Sequence, residues 1–480
     1  MDDDTFYYSL DTDLDSSFTS TITDRTFASS SARSSLARSS LTLSFNERIS
    51  TTSGPTYKHH NNTIIRPHRR EDPHWSAIRA ATNLSQDNRI HLRHLKLMSH
   101  LGAGNLGKVF LCRIRDYHHS SPNSHFALKV VDKDSLSPKK LSHVQTEAEI
   151  LSLLDHPFLP TLYAHIEVSH YTCLLIDYCS GGDLHSLLRK QPSNRLPVQA
   201  VKFYAAEVLV ALEYLHSLGI VYRDLKPENI LLREDGHIML SDFDLCFKSD
   251  VTPKIEIFDD DYDRMSKIKS RRRRDRVVGE FVAEPTTAFS KSCVGTHEYL
   301  APELVSGNGH GNGVDWWGFG VLIYELLFGT TPFKGVNKEA TLRNIASSRD
   351  MRFCHVEERE FEDDKELGLA KDLIEKLLIK DPRKRMGSIR GATEIKKHPF
   401  FNGVKWALIR SYRPPEVRGG LVRKSKSHVS GIHNRRKWWW RGLNHFLRKN
   451  KGSKVSHNNS SNTCASVHNI SNMISSRRVV

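Results

Sequence analysis

From residue 95 onward the apolar positions change period several times. Over 95–101, 108–114 and 125–131 they alternate in short runs bounded by turn residues, which predicts strands. Over 141–154 they recur every three or four residues, which predicts a helix, and 172–178 reads as a strand again. Long helical periods follow at 197–218, 315–328 and 367–379, and the compact pattern closes near Phe401. The implied fold is α+β, a small β-rich lobe followed by a larger helical lobe. Residues 251–289 break the pattern: Asp259, Asp260, Asp261 and Asp263 precede four arginines at 271–274, with no core periodicity. This insertion is expected to loop out. Residues 1–70 are rich in Ser and Thr and poor in large apolar residues, so a disordered N-terminal extension is expected, joined by a lead-in at 71–94. The tandem A-R-S-S-L at 32–41 reads as low-complexity drift or as two phosphorylatable R-S-S sites.

Between the first two strands the chain reads L-G-A-G-N-L-G-K-V, with Leu101, Gly102, Gly104, Gly107 and Val109. Three glycines let a backbone fold tightly over phosphates and turn its N–H groups toward them. The same spacing opens dinucleotide-binding folds, where a helix follows; here a strand follows. Taken alone, the segment also reads as a glycine turn without function.

Lys129 ends the apolar run F-A-L-K. A strand-end lysine is usually at the surface, but one held by a carboxylate can lie against phosphates. The next helix offers Glu147 in E-A-E-I-L, on the side of Ile150 and Leu151, while the spacing turns Glu149 toward solvent.

The segment V-Y-R-D-L-K-P-E-N-I-L-L brings Asp224 to accept a hydroxyl proton, Lys226 to neutralise a moving phosphoryl group and Asn229 to bind Mg²⁺. S-D-F-D adds Asp242 for the bridging Mg²⁺. Such transfer needs positioning and charge neutralisation more than covalent help, so a few charges suffice. In G-T-H-E-Y-L-A-P-E, Glu303 is expected to pair with Arg385 of D-P-R-K-R-M, and Asp315 of V-D-W-W-G-F-G to buttress the Asp224 loop. Asp224 or Asp242 alone would more often be a turn or cap residue. Five motifs in this order, each in its strand or helix context, point to phosphoryl transfer from ATP to protein hydroxyls.

Over 95–401 the chain resembles AGC-type protein kinases, which implies a two-lobed kinase fold. The L-K-P-E-N segment with Gly295 and Thr296 implies Ser/Thr specificity. Asp244 stands where most kinases have glycine, and a long insertion precedes A-P-E; together these are similar to the plant AGC VIII group. The D-P-H-W-S-A-I lead-in at 72–78 and the acidic, Ser-rich N-terminus resemble its WAG and PINOID members. The resemblance implies a hinge from Asp177 to Cys179 that hydrogen-bonds adenine, Asp183 near the ribose, and Ile176 limiting the back pocket. It also implies that Arg223 docks an activating phosphate on Ser292, with Ser290 close behind and His143 within reach of the same phosphate. Glu228 and Asp183 match positions that read basic residues before the target. PIN auxin efflux carriers are the implied substrates, and a phosphoinositide-dependent kinase the implied activator. Two departures stand out. Asp244 would take over a glycine conformation with positive φ, which Asp tolerates better than most residues. No F-x-x-F motif follows the kinase segment, so the small-lobe docking pocket is expected to be empty, differently filled or occupied by a partner.

The net charge of +15 is concentrated at one end. From 411 to 480 fifteen Lys or Arg face the single acid Glu416, whereas 1–24 holds seven Asp and no base. A basic tail over 402–480 points to an acidic surface, anionic lipid or nucleic acid, or is simply solvated. Within it, R-R-K-W-W-W-R-G-L-N-H-F-L-R-K-N-K interleaves aromatic and basic residues and suits a membrane interface, with packing on the kinase lobe or nuclear import as alternatives. No motif for base readout accompanies it, which argues against a nucleic-acid binder. An inactive scaffold has only D-F-D in its favour. Seven scattered cysteines without a C-x-x-C pair, no leader and no bilayer-length apolar run lead to an intracellular expectation: the cytoplasmic face of the plasma membrane, the cytoplasm or the nucleus.

Overall fold

The computed structural model describes residues 72–417, apart from 84, 105, 116–123, 259–277, 348–350 and 354–363. The N-terminal extension with its A-R-S-S-L pair, the arginines at 271–274 and the aromatic-basic segment at 435–451 lie outside the described residues.

Strands β1 (Leu95–Ala103), β2 (Lys108–Ile114), β3 (His125–Asp132), β4 (Leu162–Glu167) and β5 (Tyr171–Asp177) form one antiparallel sheet in the order β1-β2-β3-β5-β4. Successive residues of β3 serve opposite faces. Phe126 and Leu128 pack with Ala77, Ile78 and Ala81 of helix α1 (Pro73–Asn83), while Lys129 serves the other face. The lead-in is therefore a brace on the outside of the small lobe. Its Asp72 lies 3.4 Å from the Tyr163 hydroxyl, which donates to Asp177 Oδ1 at 3.0 Å. Helix α2 (Pro138–Leu153) starts from Ser137, whose side chain accepts from Lys140 N, with Pro138 supplying a preset φ in the first turn.

The larger lobe is built on α4 (Val198–Ser217), α6 (Gly313–Phe328) and α8 (Asp364–Leu377), with the short helices α3 (Leu184–Leu188), α5 (Pro302–Val305), α7 (Lys338–Ala346) and α9 (Gly391–Lys396) around them. Helix α6 is apolar on every side, including Trp316, Trp317 and Phe319, and is buried on every side, as that pattern requires. Two small ladders, β6 (Ile220–Val221) with β9 (Phe247–Lys248) and β7 (Ile230–Leu232) with β8 (Ile238–Leu240), clamp the loops that carry Asp224 and Asp242.

The insertion does not simply loop out. Its ends pair as an antiparallel hairpin, β10 (Lys254–Phe258) with β11 (Val278–Val282), and Val282, Glu284 and Ala288 are buried. A periodicity search misses this because the anchoring residue is a carboxylate held by polar partners. The segment after Phe401 also differs from a plain tail. A 3-10 turn at Trp406–Ser411 buries Ile409, sets Trp406 against Phe401 at 5.4 Å and pairs Arg410 with Asp235. Among the described residues no helix is long and apolar enough to cross a membrane.

Candidate active site

The glycine loop is the turn from β1 into β2. Gly104 N donates to Gly107 O at 2.9 Å, which closes it. Its glycines divide the work. A Cβ on Gly107 would lie 2.4 Å from Val130 O, so that residue lets the loop lie on β3, whereas Cβ atoms on Gly102 and Gly104 would meet nothing within 4 Å. That open side, flanked by the half-exposed Leu101, leaves room for a ligand to approach the loop backbone closely.

Beneath the loop, Lys129 Nζ donates to both Glu147 oxygens at 2.7 Å and to Asp242 Oδ1 at 3.2 Å. Strand β3, helix α2 and the S-D-F-D turn thus converge on one ammonium. Burial works against that charge, but the carboxylates of Glu147 and Asp242 outweigh it and hold Lys129 above the ordinary lysine value. Glu147 is the inward residue; Glu149 instead accepts from Gln145 at an exposed position.

Asp224 is the centre of a second cluster. Its Oδ2 accepts from Lys226 Nζ at 2.7 Å and from Asn229 Nδ2 at 2.9 Å, and its Oδ1 accepts from Thr296 Oγ1 at 3.0 Å. Lys226 also reaches Thr296 Oγ1 at 2.9 Å. Asn229 spends its amide N–H groups on Asp224, leaving the amide oxygen for another partner, and Asp242 is the more open carboxylate, with 40% of its side chain exposed. One amide oxygen and one carboxylate are hard oxygen donors, a set that fits a divalent cation sharing its coordination with phosphates. Thr296 is a member of this cluster that the motif reading used only as a marker of specificity.

The left-handed residue of S-D-F-D is Asp242, at φ 59°, not Asp244. The expectation that Asp244 takes over a positive φ is therefore corrected: the bend that aims the carboxylate sits at that carboxylate's own residue. Asp244 is buried, and burial with the neighbouring Asp242 lifts its pKa to about 7.

The supports are buried. Asp315 accepts from Arg223 N at 2.7 Å and from Tyr222 N at 2.8 Å, fixing the backbone just before Asp224. Arg385 makes two parallel bonds to Glu303, at 2.7 and 2.9 Å, and a third to Gly313 O at 2.8 Å, tying α5 to α6. Arg223 donates to Leu245 O at 2.6 Å, lies over the Phe247 ring at 4.6 Å, and reaches Ser290 Oγ at 3.3 Å. Ser290 also exchanges backbone bonds with His310, at 2.9 and 2.8 Å. Ser292 stands one step further out, against Ser290 Oγ.

At the hinge the Asp177 side chain turns inward, accepting from Thr161 N at 2.7 Å and from Tyr163, while the Cys179 thiol faces Met239 sulfur at 3.6 Å. The adenine-facing groups expected at 177–179 are backbone groups, so these side chains serve to hold the strand end. Asp183 caps α3, accepting from Ser186 N and Oγ at 2.7 and 2.9 Å, and Glu228 lies 3.0 Å from His185. Tyr299 donates to Glu325 at 2.6 Å on the same side, so Glu325 joins an acidic group that the motifs did not reveal.

The protein kinase domain family matches residues 95–401. The chain is 64% identical to serine/threonine-protein kinase WAG1 of Arabidopsis thaliana over 95% of this chain and 96% of that protein. It is 61% identical to WAG2 of the same plant, over 96% of each. Protein kinase PINOID of Oryza sativa subsp. japonica is 44% identical, over 88% of this chain and 90% of its own length. A match to the kinase family from the first strand to Phe401, with relatives this similar along nearly their whole length, means that the chain belongs to the protein kinase family, as a serine/threonine kinase of the WAG/PINOID group.

Proposed function

We propose that the chain moves the γ-phosphoryl group of ATP, with Mg²⁺ as the divalent metal, onto Ser or Thr of PIN-type auxin efflux carriers, and so regulates polar auxin transport. The observation that carries the catalytic part is the convergence of Lys129, Glu147 and Asp242 beside the Asp224, Lys226, Asn229 and Thr296 cluster. Lys129, steadied by Glu147, binds the inner phosphates under the glycine loop. Asn229 and Asp242 would hold the metal, which when bound neutralises phosphate oxygens and keeps the phosphate chain in line. Asp224 takes the proton of the incoming hydroxyl. Thr296 and Asn229, bonded to opposite oxygens of that carboxylate, fix its direction, and Lys226 meets the charge on the transferred group. The hinge backbone from Asp177 to Cys179 would receive adenine, and Asp183 the ribose.

The carrier substrates follow from likeness to the WAG/PINOID group, and a phosphoinositide-dependent kinase is the matching activator. Carriers of that kind place the working site at the cytoplasmic face of the plasma membrane. The interleaved aromatic and basic residues at 435–451 supply an attachment to anionic lipid, at roughly 1 kcal/mol per base near the surface.

The test incubates purified full-length protein with Mg-ATP and the cytoplasmic loop of a PIN-type carrier. Phosphate on Ser or Thr that disappears with Asp242→Ala is the expected result; an unmodified loop beside a phosphorylated generic substrate would remove the carrier assignment and keep the kinase. Sedimentation with phosphatidylserine vesicles, lost in high salt and in a Trp438, Trp439 and Trp440→Ala variant, is expected for the lipid contact. Equal or absent binding to neutral and anionic vesicles would overturn that part.

A further inference from the structure

His216, near the end of α4, is fully buried, and each of its ring nitrogens faces a carboxylate. Nδ1 lies 2.7 Å from Glu284 Oε2, and Nε2 lies 2.8 Å from Asp315 Oδ2. A neutral imidazole has one N–H and one lone pair, so it would set a lone pair against one of these anionic oxygens. Only the doubly protonated ring donates to both. Two buried carboxylates without a cation between them would also be costly.

The three residues come from three places. Asp315 opens α6 and binds the backbone N–H groups of Tyr222 and Arg223, as described above. Arg223 sits at φ 67°, a conformation that must be held in place by its surroundings. Glu284 belongs to the insertion, two residues past the end of β11. Its place is shaped for it: Asn312 Nδ2 donates to Oε2 at 2.9 Å, and a Cβ on Gly391, itself at φ 57°, would lie 1.6 Å from Oε1.

We propose that Glu284 is a positioning residue for phosphoryl transfer: delivered by the exit of the insertion, it keeps His216 as an imidazolium, which orients Asp315 and thereby the Tyr222–Arg223 backbone that presents Asp224. The kinase lobe is incomplete without this residue, and the insertion is tied into the catalytic loop rather than hung from it. Burial opposes the charge on His216, yet Glu284 and Asp315 raise its pKa from 6.5 to about 10. Among the described residues those two carboxylates are the charged groups that act on the ring; the Trp316 indole meets it edge-on at 4.7 Å, and Asp315 also acts on Arg223 and His310.

Glu284→Gln keeps the size and one acceptor but removes the charge. The expected result is a kcat lowered on the order of tenfold with the KM for ATP unchanged, since the nucleotide site is elsewhere. The loss should deepen as pH rises above neutrality, because with one carboxylate gone the pKa of the ring falls from about 10 back toward its ordinary 6.5, whereas wild type stays level until its own proton leaves. In a His216→Phe background, Glu284→Gln should add no further loss. Unchanged kcat and pH profile, with only a lower Tm, would overturn the proposal and leave Glu284 a packing residue. Should Glu284→Gln fail to fold, ¹⁵N-histidine spectra of the wild-type protein decide: two protonated nitrogens on His216 at about pH 8 support it, and a singly protonated neutral ring overturns it.

Discussion

Arg223 Nη1 donates to Ser290 Oγ across 3.3 Å, while the rest of its guanidinium is already fixed by Leu245 O and the Phe247 ring. A phosphate on Ser290 would replace a neutral acceptor with a dianion at a donor that is already oriented, which adds charge-assisted bonds at little ordering cost. Phosphorylation there should raise kcat about tenfold, and Ser290→Ala should lose that gain. Ser292→Ala should cost less, because Ser292 reaches Arg223 only through Ser290. Specific activity of phosphatase-treated and untreated protein, wild type and both variants, checks this; an effect confined to Ser292 would reverse the order.

Lys129→Met and Asp242→Ala should each lower phosphate transfer by at least 10²–10³-fold, on the order expected for a lost electrostatic contact to the moving group, with a circular dichroism spectrum like wild type. Lys129→Met additionally strands Glu147 without its cation in a buried site, so the carboxyl will take up a proton. A single-turnover assay showing near-normal transfer by either variant would contradict the roles assigned to them.

His216 also makes stability depend on pH. Its folded pKa of about 10 exceeds its ordinary value of 6.5, so the folded state binds its proton more tightly. The resulting stabilisation is fully present below about 6.5 and is lost progressively as pH rises toward 10. Thermal melts between those limits should show Tm falling toward alkali, and the slope should shrink in His216→Phe.

Glu228 is half-exposed beside His185, with Asp183 and Glu325 nearby on the larger lobe. Peptides with Arg or Lys two to three residues before the target should be preferred, and Glu228→Ala should lower kcat/KM for them about tenfold while sparing peptides that lack the base. A peptide array that favours acidic or proline-following targets would contradict this.

The parts legible in the sequence are those in which chemistry and chain order coincide. Gly102 to Val109, Asp224 to Asn229 and Asp242 to Asp244 are contiguous, and the geometry then requires only that strands and loops bring them together. The Lys129–Glu147 contact is legible because the helical spacing sets Glu147 on the side of Ile150 and Leu151. Glu284 and His216 were not legible: they are single residues 68 positions apart, and a buried polar pair leaves no periodic trace. The small-lobe brace was missed for a related reason, since Ala77 and Ala81 are too small to stand out as an apolar stripe. Asp244 drew attention as the odd residue of its motif, yet the unusual backbone belongs to Asp242.

The β10–β11 hairpin has a consequence for how such a kinase can diversify. Because Phe258 is paired with Val278, the two ends of the insertion are held together whatever length of chain joins them. Lengthening that connection costs only slowly growing closure entropy, about 0.6 kcal/mol per doubling. The hairpin thus works as a splice point: new addresses or docking sequences can be written beyond it while the residue two positions downstream keeps its grip on the catalytic loop.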